Sequence, residues 1–356
     1  MPVPGIFITF QSSAAAAIAT SDKGVVALLI RDDAELDASV LTLTRSAQIP
    51  SALTEANQAY IRRAFLGYVN PPRKVLVYVD AADAANLTAG LNWAQTQTFD
   101  YLCGPPDIKP AEAQAVASWV KAERAAGHMV KAVLPDQTAD SEGVVNFTTA
   151  GIKVGTDAFT AAQYCSRIAG LIAGTPMTIS CTYAPLSEVE DFTRLSGEDA
   201  DKAVDAGKLI LIHDGIKAKI SRGVNSLTTT TQDKGAVFQK IKIVELLDMI
   251  YTDLKQSIAD SYIGKYANSY DNKLVLCTAV KAYLQDLERN ELIQEGTTVV
   301  EIDVDAQQAW LEKQGVDTSE MDEQALREAN TGSQVFLRAS VRPLDAIEDV
   351  HIPISV

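Results

Sequence analysis

The first half of the chain alternates apolar runs with amphipathic stretches, and this alternation limits the possible folds more than any other feature. Four runs rich in Val, Leu and Ile predict strands: Val25–Ile30, Lys74–Val79, Phe99–Cys103 and His128–Leu134. The stretches between them have helical periodicity: Leu53–Phe65, Ala81–Gln95 and Pro110–Ala126. Strands that alternate with helices of this length indicate an α/β fold with a mostly parallel sheet covered on both faces.

The middle of the chain continues this pattern and ends in two longer helices. In order, the sequence predicts a strand, a helix, two strands and two helices: Val144–Thr149, Asp157–Ala173, Lys208–His213, Ile216–Leu227, Val237–Ile263 and Asp271–Asn290. Asp157 belongs to the residue types that cap helix N-termini. The dipeptide Asp214-Gly215 is a strong signal for a hairpin turn between the two strands.

The last part of the chain predicts a second β region, so that the whole is α+β. Thr297–Val304 is β-like, and Asp305–Asn330 is acidic and helical in part. Gln334–Arg342 and Asp349–Val356 place an apolar residue at every second position, a pattern typical of strands with one buried face. We therefore expect an N-terminal arm (1–20), an α/β body (21–230), a helical and β region (231–343) and a C-terminal arm strand (344–356).

Composition and charge exclude several classes of protein. The chain has 356 residues, of which 46 are acidic and 31 are basic, and its formal charge is −15. Nucleic-acid binding depends on a basic surface that neutralises phosphates, so this charge argues against a nucleic-acid partner. No run approaches the ~18 apolar residues of a membrane-spanning helix, so we expect no direct membrane insertion. A signal peptide requires a cationic residue before its apolar stretch, and none precedes the first apolar stretch of this chain.

Only one pair of residues resembles a catalytic motif. The chain contains none of the glycine-rich phosphate loops, nucleophile elbows or zinc-binding helices that mark common enzyme classes. His213-Asp214, at the end of a strand, has the position of a catalytic pair. A turn at Asp214-Gly215 explains these residues more simply, because no nucleophile motif accompanies them. A cytosolic α/β enzyme that uses His213 and Asp214 remains the alternative.

Metal and cofactor sites are not indicated either. No cysteine belongs to a C-x-x-C pair or has a histidine at metal-ligand spacing: Cys103, Cys165, Cys181 and Cys277. Two carboxylate pairs could bind a cation, although solvated faces explain them equally well: Glu188 with Glu190, and Asp303 with Asp305. We therefore expect no catalytic, cofactor-binding or metal-binding residues.

Charge is distributed unevenly along the chain. Residues 286–330 contain thirteen acidic and three basic residues, whereas Ile216–Ile243 contains six basic residues and only Asp233 as an acid. Such segments can be two separately solvated faces, or they can form complementary contacts between copies of the chain. In the second case the candidate electrostatic contacts are Lys217, Lys219, Arg222, Lys240 and Lys242.

Both ends of the chain are apolar. The two end segments contain eight apolar residues that could pair with a strand: Ile6, Phe7, Ile8, Phe10, Val350, Ile352, Ile354 and Val356. Terminal segments fray unless they are held in place, and apolar ones left free invite aggregation. They can pair within the chain or add as strands to another chain, and the residues alone leave both possibilities open.

Three short motifs occur in a fixed order along the chain. The first is AAQYCSRIAGLIAGTPMTISCTYAPL around residues 162–185, the second is SRGVNSLTT at Ser221–Thr229, and the third is Tyr262–Leu292. They resemble, in order, the helix and proline-containing loop, the arginine-glycine strand, and the turn and long helix of contractile tail sheath proteins. The apolar N-terminus and the terminal strand match this family in position, so the resemblance spans most of the chain.

The resemblance implies a subunit that polymerises as stacked hexameric rings around an inner tube and contracts to drive the tube through a target cell envelope. It implies strand exchange by both arms, a metastable extended state without a cofactor, and baseplate and tail terminator proteins as further partners. It also implies synthesis in the bacterial cytoplasm and presence in a released particle. The short chain is similar to compact sheaths of phages or R-type bacteriocins without large decoration domains. Another tail or baseplate structural protein is the second alternative.

Overall fold

The structure is a computed structural model that describes residues 17–19, 23–232 and 234–355. It divides into two compact units. Among the described residues, the sheet unit comprises those of 23–249 together with 345–355, and the helical unit comprises 17–19 and 250–344. The C-terminal segment thus belongs to the same unit as the α/β body, although the chain reaches it from the helical unit.

Strands and helices alternate along the sheet unit. Its strands are β1 (Val25–Arg31), β2 (Val40–Leu43), β3 (Lys74–Asp80), β4 (Tyr101–Cys103), β5 (Lys131–Pro135), β6 (Val144–Phe147), β7 (Ile152–Val154), β8 (Asp157–Phe159), β9 (Lys208–Leu209), β10 (Leu211–His213) and β11 (Ala218–Ile220). Its helices are α1 (Glu55–Ala64), α2 (Thr88–Ala94), α3 (Pro110–Ala125), α4 (Ala161–Ala173), α5 (Gly197–Asp205) and the first part of α6 (Ile241–Ser261).

Seven strands form the main sheet in the order β2-β3-β1-β4-β5-β6-β9. All neighbours are parallel except β2, which pairs antiparallel with β3 at the edge. Strand β1 is buried on both faces: Val26, Leu28 and Ile30 pack in the core with α1 and α4, and Val25, Ala27 and Leu29 pack in the core with α3. The predicted α/β class with a mostly parallel sheet is confirmed.

Helix α4 packs closely against α1. The Ser166 hydroxyl donates a hydrogen bond to the Tyr60 carbonyl oxygen at 2.7 Å, and Arg167 Nη1 donates to the Gly67 carbonyl oxygen at 2.7 Å. A Cβ at Gly170 would lie 1.9 Å from the Ala64 carbonyl oxygen. Glycine is therefore required at this position, because any side chain would push the two helix backbones apart.

Several predicted elements differ from the structure. The helix predicted over Ala81–Gln95 is wrong in its first part, since α2 begins at Thr88. Asp157 is not the N-cap of α4, because Asp157–Phe159 pairs with Ile152–Val154 across a turn at Gly155. The Thr160 hydroxyl accepts from the Gln163 backbone N–H at the start of α4 instead. Local pairing thus determines where this helix begins.

The predicted strand Lys208–His213 is divided between two sheets. β9 pairs with β6 in the main sheet, whereas β10 pairs antiparallel with β11 in a two-stranded sheet. Pairing with the main sheet ends at Leu209. Two residues later, the Leu211 backbone N–H donates a hydrogen bond to the Thr149 hydroxyl at 2.9 Å. The predicted hairpin at Asp214-Gly215 is confirmed by the β10–β11 pairing.

The helical unit contains the second part of α6 and the elements that follow it. These are α7 (Tyr270–Arg289), β12 (Val299–Ile302), α8 (Val304–Lys313), α9 (Glu323–Glu328) and β13 (Leu337–Ser340). β12 and β13 form a two-stranded antiparallel sheet. Strand β13 is shorter than the predicted Gln334–Arg342, because pairing with β12 covers only Leu337–Ser340. No helix within the described ranges is long and apolar enough to cross a membrane.

Candidate assembly surfaces

The apolar C-terminal residues are exposed. Of the residue surface, 66% is accessible at Val350, 73% at Ile352 and 81% at Ile354. Residues 349–355 form no strand in the single chain. The other apolar end residues lie outside the described part of the chain: Ile6, Phe7, Ile8, Phe10 and Val356. Pairing of these segments with a neighbouring subunit therefore stays a prediction.

The segment just before these exposed residues is held firmly on the sheet unit. Glu348 is its centre, because only 6% of its side chain is accessible. Its Oε1 atom accepts hydrogen bonds from the hydroxyls of Thr182 and Ser180. Its Oε2 atom accepts from Lys240 Nζ at 3.2 Å and lies 3.9 Å from Arg222 Nε. One carboxylate thus has two hydroxyl and two cationic neighbours.

Two further ion pairs flank Glu348. Lys240 Nζ contacts Asp345 Oδ2, and Arg222 Nη2 donates to Asp349 Oδ1 at 2.6 Å. Burial alone would lower the pKa of Lys240, but the hydrogen bond to Asp345 and the charge of Glu348 raise it above its ordinary value. The hydrogen bond to Asp349 raises the pKa of Arg222. Arg222 and Lys240 are therefore paired with acids of their own chain.

The other three basic candidates have different surroundings. Lys219 Nζ lies 2.7 Å from Asp214 Oδ2 and 4.6 Å from the centre of the Tyr183 ring. Lys242 is buried, and burial lowers its pKa although Asp345 and Glu348 oppose this effect. Lys217 is exposed near the tip of the β10–β11 hairpin, beside Ile216, which is 89% accessible. The hairpin tip is thus the exposed part of the predicted basic surface.

Strand β13 is a candidate acceptor for an incoming arm. Its partner β12 covers one edge, and the helical unit has no third strand in this sheet among the residues that the structure describes. Arg338, Ala339 and Ser340 on β13 are exposed, and so is Val335 before it. An exposed edge presents unpaired backbone groups that can accept another strand.

His213 and Asp214 form a turn. The Asp214 carboxylate accepts from the backbone N–H groups of Ile216 and Lys217, each at 2.9 Å. The hydrogen bond from Lys219, together with these two, holds the pKa of Asp214 far below its ordinary value. The His213 Nδ1 atom accepts from the Gly215 N–H at 3.0 Å. Because Asp214 accepts these three bonds, it serves the turn and does not orient the imidazole.

The carboxylate pairs also have structural roles. Glu188 accepts from Arg167 Nε at 2.6 Å and from the Tyr164 hydroxyl at 2.9 Å. Asp303 caps α8 by accepting from the Ala306 N–H at 3.0 Å. Over the described ranges, no group of three or more His, Cys, Asp or Glu side chains is placed to hold a metal ion.

Replacing His213 by alanine should change stability little, by about 1 kcal/mol or less, because it removes one solvent-accessible hydrogen bond. Replacing Asp214 by alanine should destabilise more, because it removes two backbone contacts and an ion pair. Denaturant unfolding of both variants measures the difference. An equal or larger effect of His213→Ala would contradict this assignment.

An exposed apolar terminus, basic side chains paired within the chain and a polar turn at His213-Asp214 together define a structural subunit that associates with other subunits. The chain belongs to the phage tail sheath family: residues 80–226 match the model of the "Phage tail sheath protein central domain" and residues 233–356 match that of the "Phage tail sheath C-terminal domain". It is therefore a phage tail sheath protein, a structural protein rather than an enzyme.

Individual relatives agree with this family. The chain is 38% identical to the tail sheath protein of Clostridium phage phiCD119, over 99% of this chain and 98% of the relative. A sheath tail protein from Desulfitobacterium hafniense has the same fold, with a TM-score of 0.73 and 18% identity over 97% of this chain and 98% of that one. The helical sheath of the anti-feeding prophage in its contracted state has a TM-score of 0.71 and 15% identity, over 100% of this chain and 99% of that one.

Proposed function

We propose that copies of this chain stack as hexameric rings around an inner tail tube, and that contraction of this sheath drives the tube through a target cell envelope. Family membership and the similarity to a helical sheath in a contracted state support the homopolymer. The observation that carries the proposal is the exposed apolar C-terminal segment with Val350, Ile352 and Ile354, which needs a partner outside the single chain.

The arms join the subunits by strand exchange. Val350, Ile352 and Ile354 alternate with polar or turn-forming residues, so an added strand would place all three on one face. The exposed edge of β13 on a neighbouring subunit is the acceptor, and the N-terminal arm with Ile6, Phe7, Ile8 and Phe10 joins a neighbour in the same way. Main-chain pairing tolerates rotation of the subunit bodies, which a contracting polymer requires.

Assembly stores the energy for contraction. Head-to-tail contacts that do not close into a ring generate helical filaments, and the extended filament is metastable. The hairpin tip with Ile216 and Lys217 contributes a further contact to a neighbouring subunit or to the tube. The chain is made in the bacterial cytoplasm and functions in a released phage tail or bacteriocin particle. Baseplate and tail terminator proteins bind the two ends of the polymer.

Substituting both Ile352 and Ile354 by aspartate should give a folded, soluble subunit that does not polymerise. The two charges would have to be buried in the acceptor sheet, where an unpaired carboxylate costs several kcal/mol. Deleting residues 1–11 should have the same effect on assembly. Circular dichroism reports folding, and sedimentation together with electron microscopy reports polymer length.

A control is Ile263→Asp, which places one such charge at another exposed isoleucine outside both arms. This variant should form sheaths of normal length. Full-length sheaths from the Ile352→Asp/Ile354→Asp variant would rule out strand exchange by the C-terminal arm. Loss of folding in the variants of either arm would show that this arm belongs to the core of its own subunit.

A further inference from the structure

We infer that Ser180, Thr182, Arg222 and Lys240 form a docking surface for the acidic segment Asp345–Asp349, and that this surface makes Glu348 the fixed point from which the C-terminal arm leaves the sheet unit. The inference rests on the proposed function of the arm. It adds that the chain carries its own clamp, which limits how far and in which direction the arm can extend.

The docking surface is built by contacts that do not involve the acidic segment. The Gly223 backbone N–H donates to the Thr182 hydroxyl at 2.9 Å and so orients this hydroxyl. The backbone of Lys240 pairs with that of Val224. A Cβ at Gly223 would lie 2.9 Å from Cys181 Sγ, so the two chain segments are in close contact here. These contacts hold the surface together independently of the acidic segment.

The chemistry of this surface selects an acid at position 348. A carboxylate that is almost fully buried is unfavourable unless it is paired and hydrogen-bonded. Glu348 meets both conditions, because hydroxyls lie at Oε1 and cations at Oε2. Asp345 and Asp349 add one outer ion pair each, with Lys240 and Arg222. The spacing Asp-x-x-Glu-Asp thus places the first acid at Lys240, the glutamate near both cations and the last acid at Arg222.

The clamp ends where the exposed arm begins. Asp349 is paired with Arg222, and Val350, the next residue, is 66% accessible. An extended chain spans at most about 3.4 Å per residue, so residues 350–356 reach about 24 Å from Asp349. If the clamp opens, residues 345–356 reach about 41 Å. The clamp therefore determines which neighbouring edges the arm can contact.

Mobility of a label at residue 350 tests the clamp directly. The four native cysteines are buried, so a nitroxide reagent should modify the added thiol of Val350→Cys selectively. The label is observed by electron paramagnetic resonance on monomeric full-length protein separated by size exclusion. In this background Glu348→Gln should shift the ratio of docked to released segment by about ten-fold, because one charge-assisted set of hydrogen bonds is lost.

Salt should have the same effect in the parent protein. The screening length falls from ~8 Å at physiological ionic strength to ~3 Å at 1 M, so the outer pairs weaken as salt rises. The label should become mobile at a lower salt concentration in Glu348→Gln than in the parent. Glu35→Gln, an exposed acid away from the clamp, changes the net charge equally and should leave the midpoint unchanged.

Charge reversal separates the clamp from a general loss of structure. Arg222→Glu should release the label, and Arg222→Glu combined with Asp349→Arg should restore its immobilisation. Equal label mobility in the parent and Glu348→Gln, or no rescue by the double reversal, would overturn the clamp. Because these measurements use monomers, they succeed or fail independently of whether the arms join neighbouring subunits.

Discussion

Replacing Gly170 by alanine should destabilise the sheet unit by about 3 kcal/mol. Alanine has the higher helix propensity, which alone would add about 1 kcal/mol of stability. The new Cβ would lie 1.9 Å from the Ala64 carbonyl oxygen and 2.7 Å from the Ala64 carbonyl carbon, however. These are backbone atoms of α1, so no rotamer change can relieve the clash. Overpacking of this kind costs about 1–3 kcal/mol and sometimes more.

Gly197→Ala provides the matched control. Gly197 is the first residue of α5, and a Cβ there would have no neighbouring atom within 4 Å. The same substitution should leave the free energy of unfolding within about 0.5 kcal/mol, as for surface changes in general. Denaturant unfolding of both variants measures the difference. If Gly170→Ala were as stable as the parent, α1 and α4 would have room to separate.

Gly170 also shows why the helix motif is informative. From the sequence alone, residues 162–185 carry only a resemblance. In the structure, Ser166, Arg167 and Gly170 are among the residues of this segment that contact α1 or the loop after it. Small and hydrogen-bonding residues lie where two helix backbones come closest, which is a physical reason for the pattern. A single sequence cannot reveal the spacing of the helices, because α1 lies about a hundred residues earlier.

Elements with a strong local pattern were predictable from the sequence. β1 and β3 are apolar runs buried on both faces, and α3 begins at Pro110 as predicted. The failures occur where pairing with another segment decides the outcome. Asp157–Phe159 has helix-compatible residues but becomes β8, because it pairs with β7. The alternation in Asp349–Val356 predicts a strand; the described residues 349–355 form none by themselves, and pairing with another subunit stays a prediction.

The partners of the basic residues were not predictable in the same way. The unequal charge of Ile216–Ile243 was visible, but the acids that bind Arg222 and Lys240 lie about a hundred residues later. By local charge alone, the acidic segment 286–330 is the more prominent candidate partner. Asp345, Glu348 and Asp349 form a small cluster, and only folding shows that Glu348 is buried. Local charge density therefore identifies a surface without identifying its partner.

Replacing Asp248 by alanine should also destabilise the sheet unit by about 3 kcal/mol. Asp248 lies on the first part of α6 and accepts from both Nη atoms of Arg124, at 2.8 and 2.9 Å, and from Lys131 Nζ at 3.2 Å. All three side chains are at most one-tenth accessible. Burial alone would lower the pKa of Lys131, but the charge of Asp248, with Glu245 and Asp100, raises it. Both cations would lose their main partner.

The loss of stability arises because Arg124 and Lys131 stay buried without Asp248, so it should be smaller when a cation is removed as well. Removing one partner of a buried ion pair costs about 3–5 kcal/mol, whereas replacing the whole group by apolar side chains is often neutral. Asp260→Ala, an exposed acid on the same helix, should cost less than about 0.5 kcal/mol.

Lys131→Met combined with Asp248→Asn tests this explanation. The double variant removes one buried cation together with the anion, and Arg124 keeps Glu142 as a neighbour at 3.4 Å. It should therefore be more stable than the sum of the two single effects predicts, by about 1–3 kcal/mol in a double-mutant cycle. Additive effects would mean that Asp248 contributes by packing, and that the charges of Arg124 and Lys131 are stabilised without it.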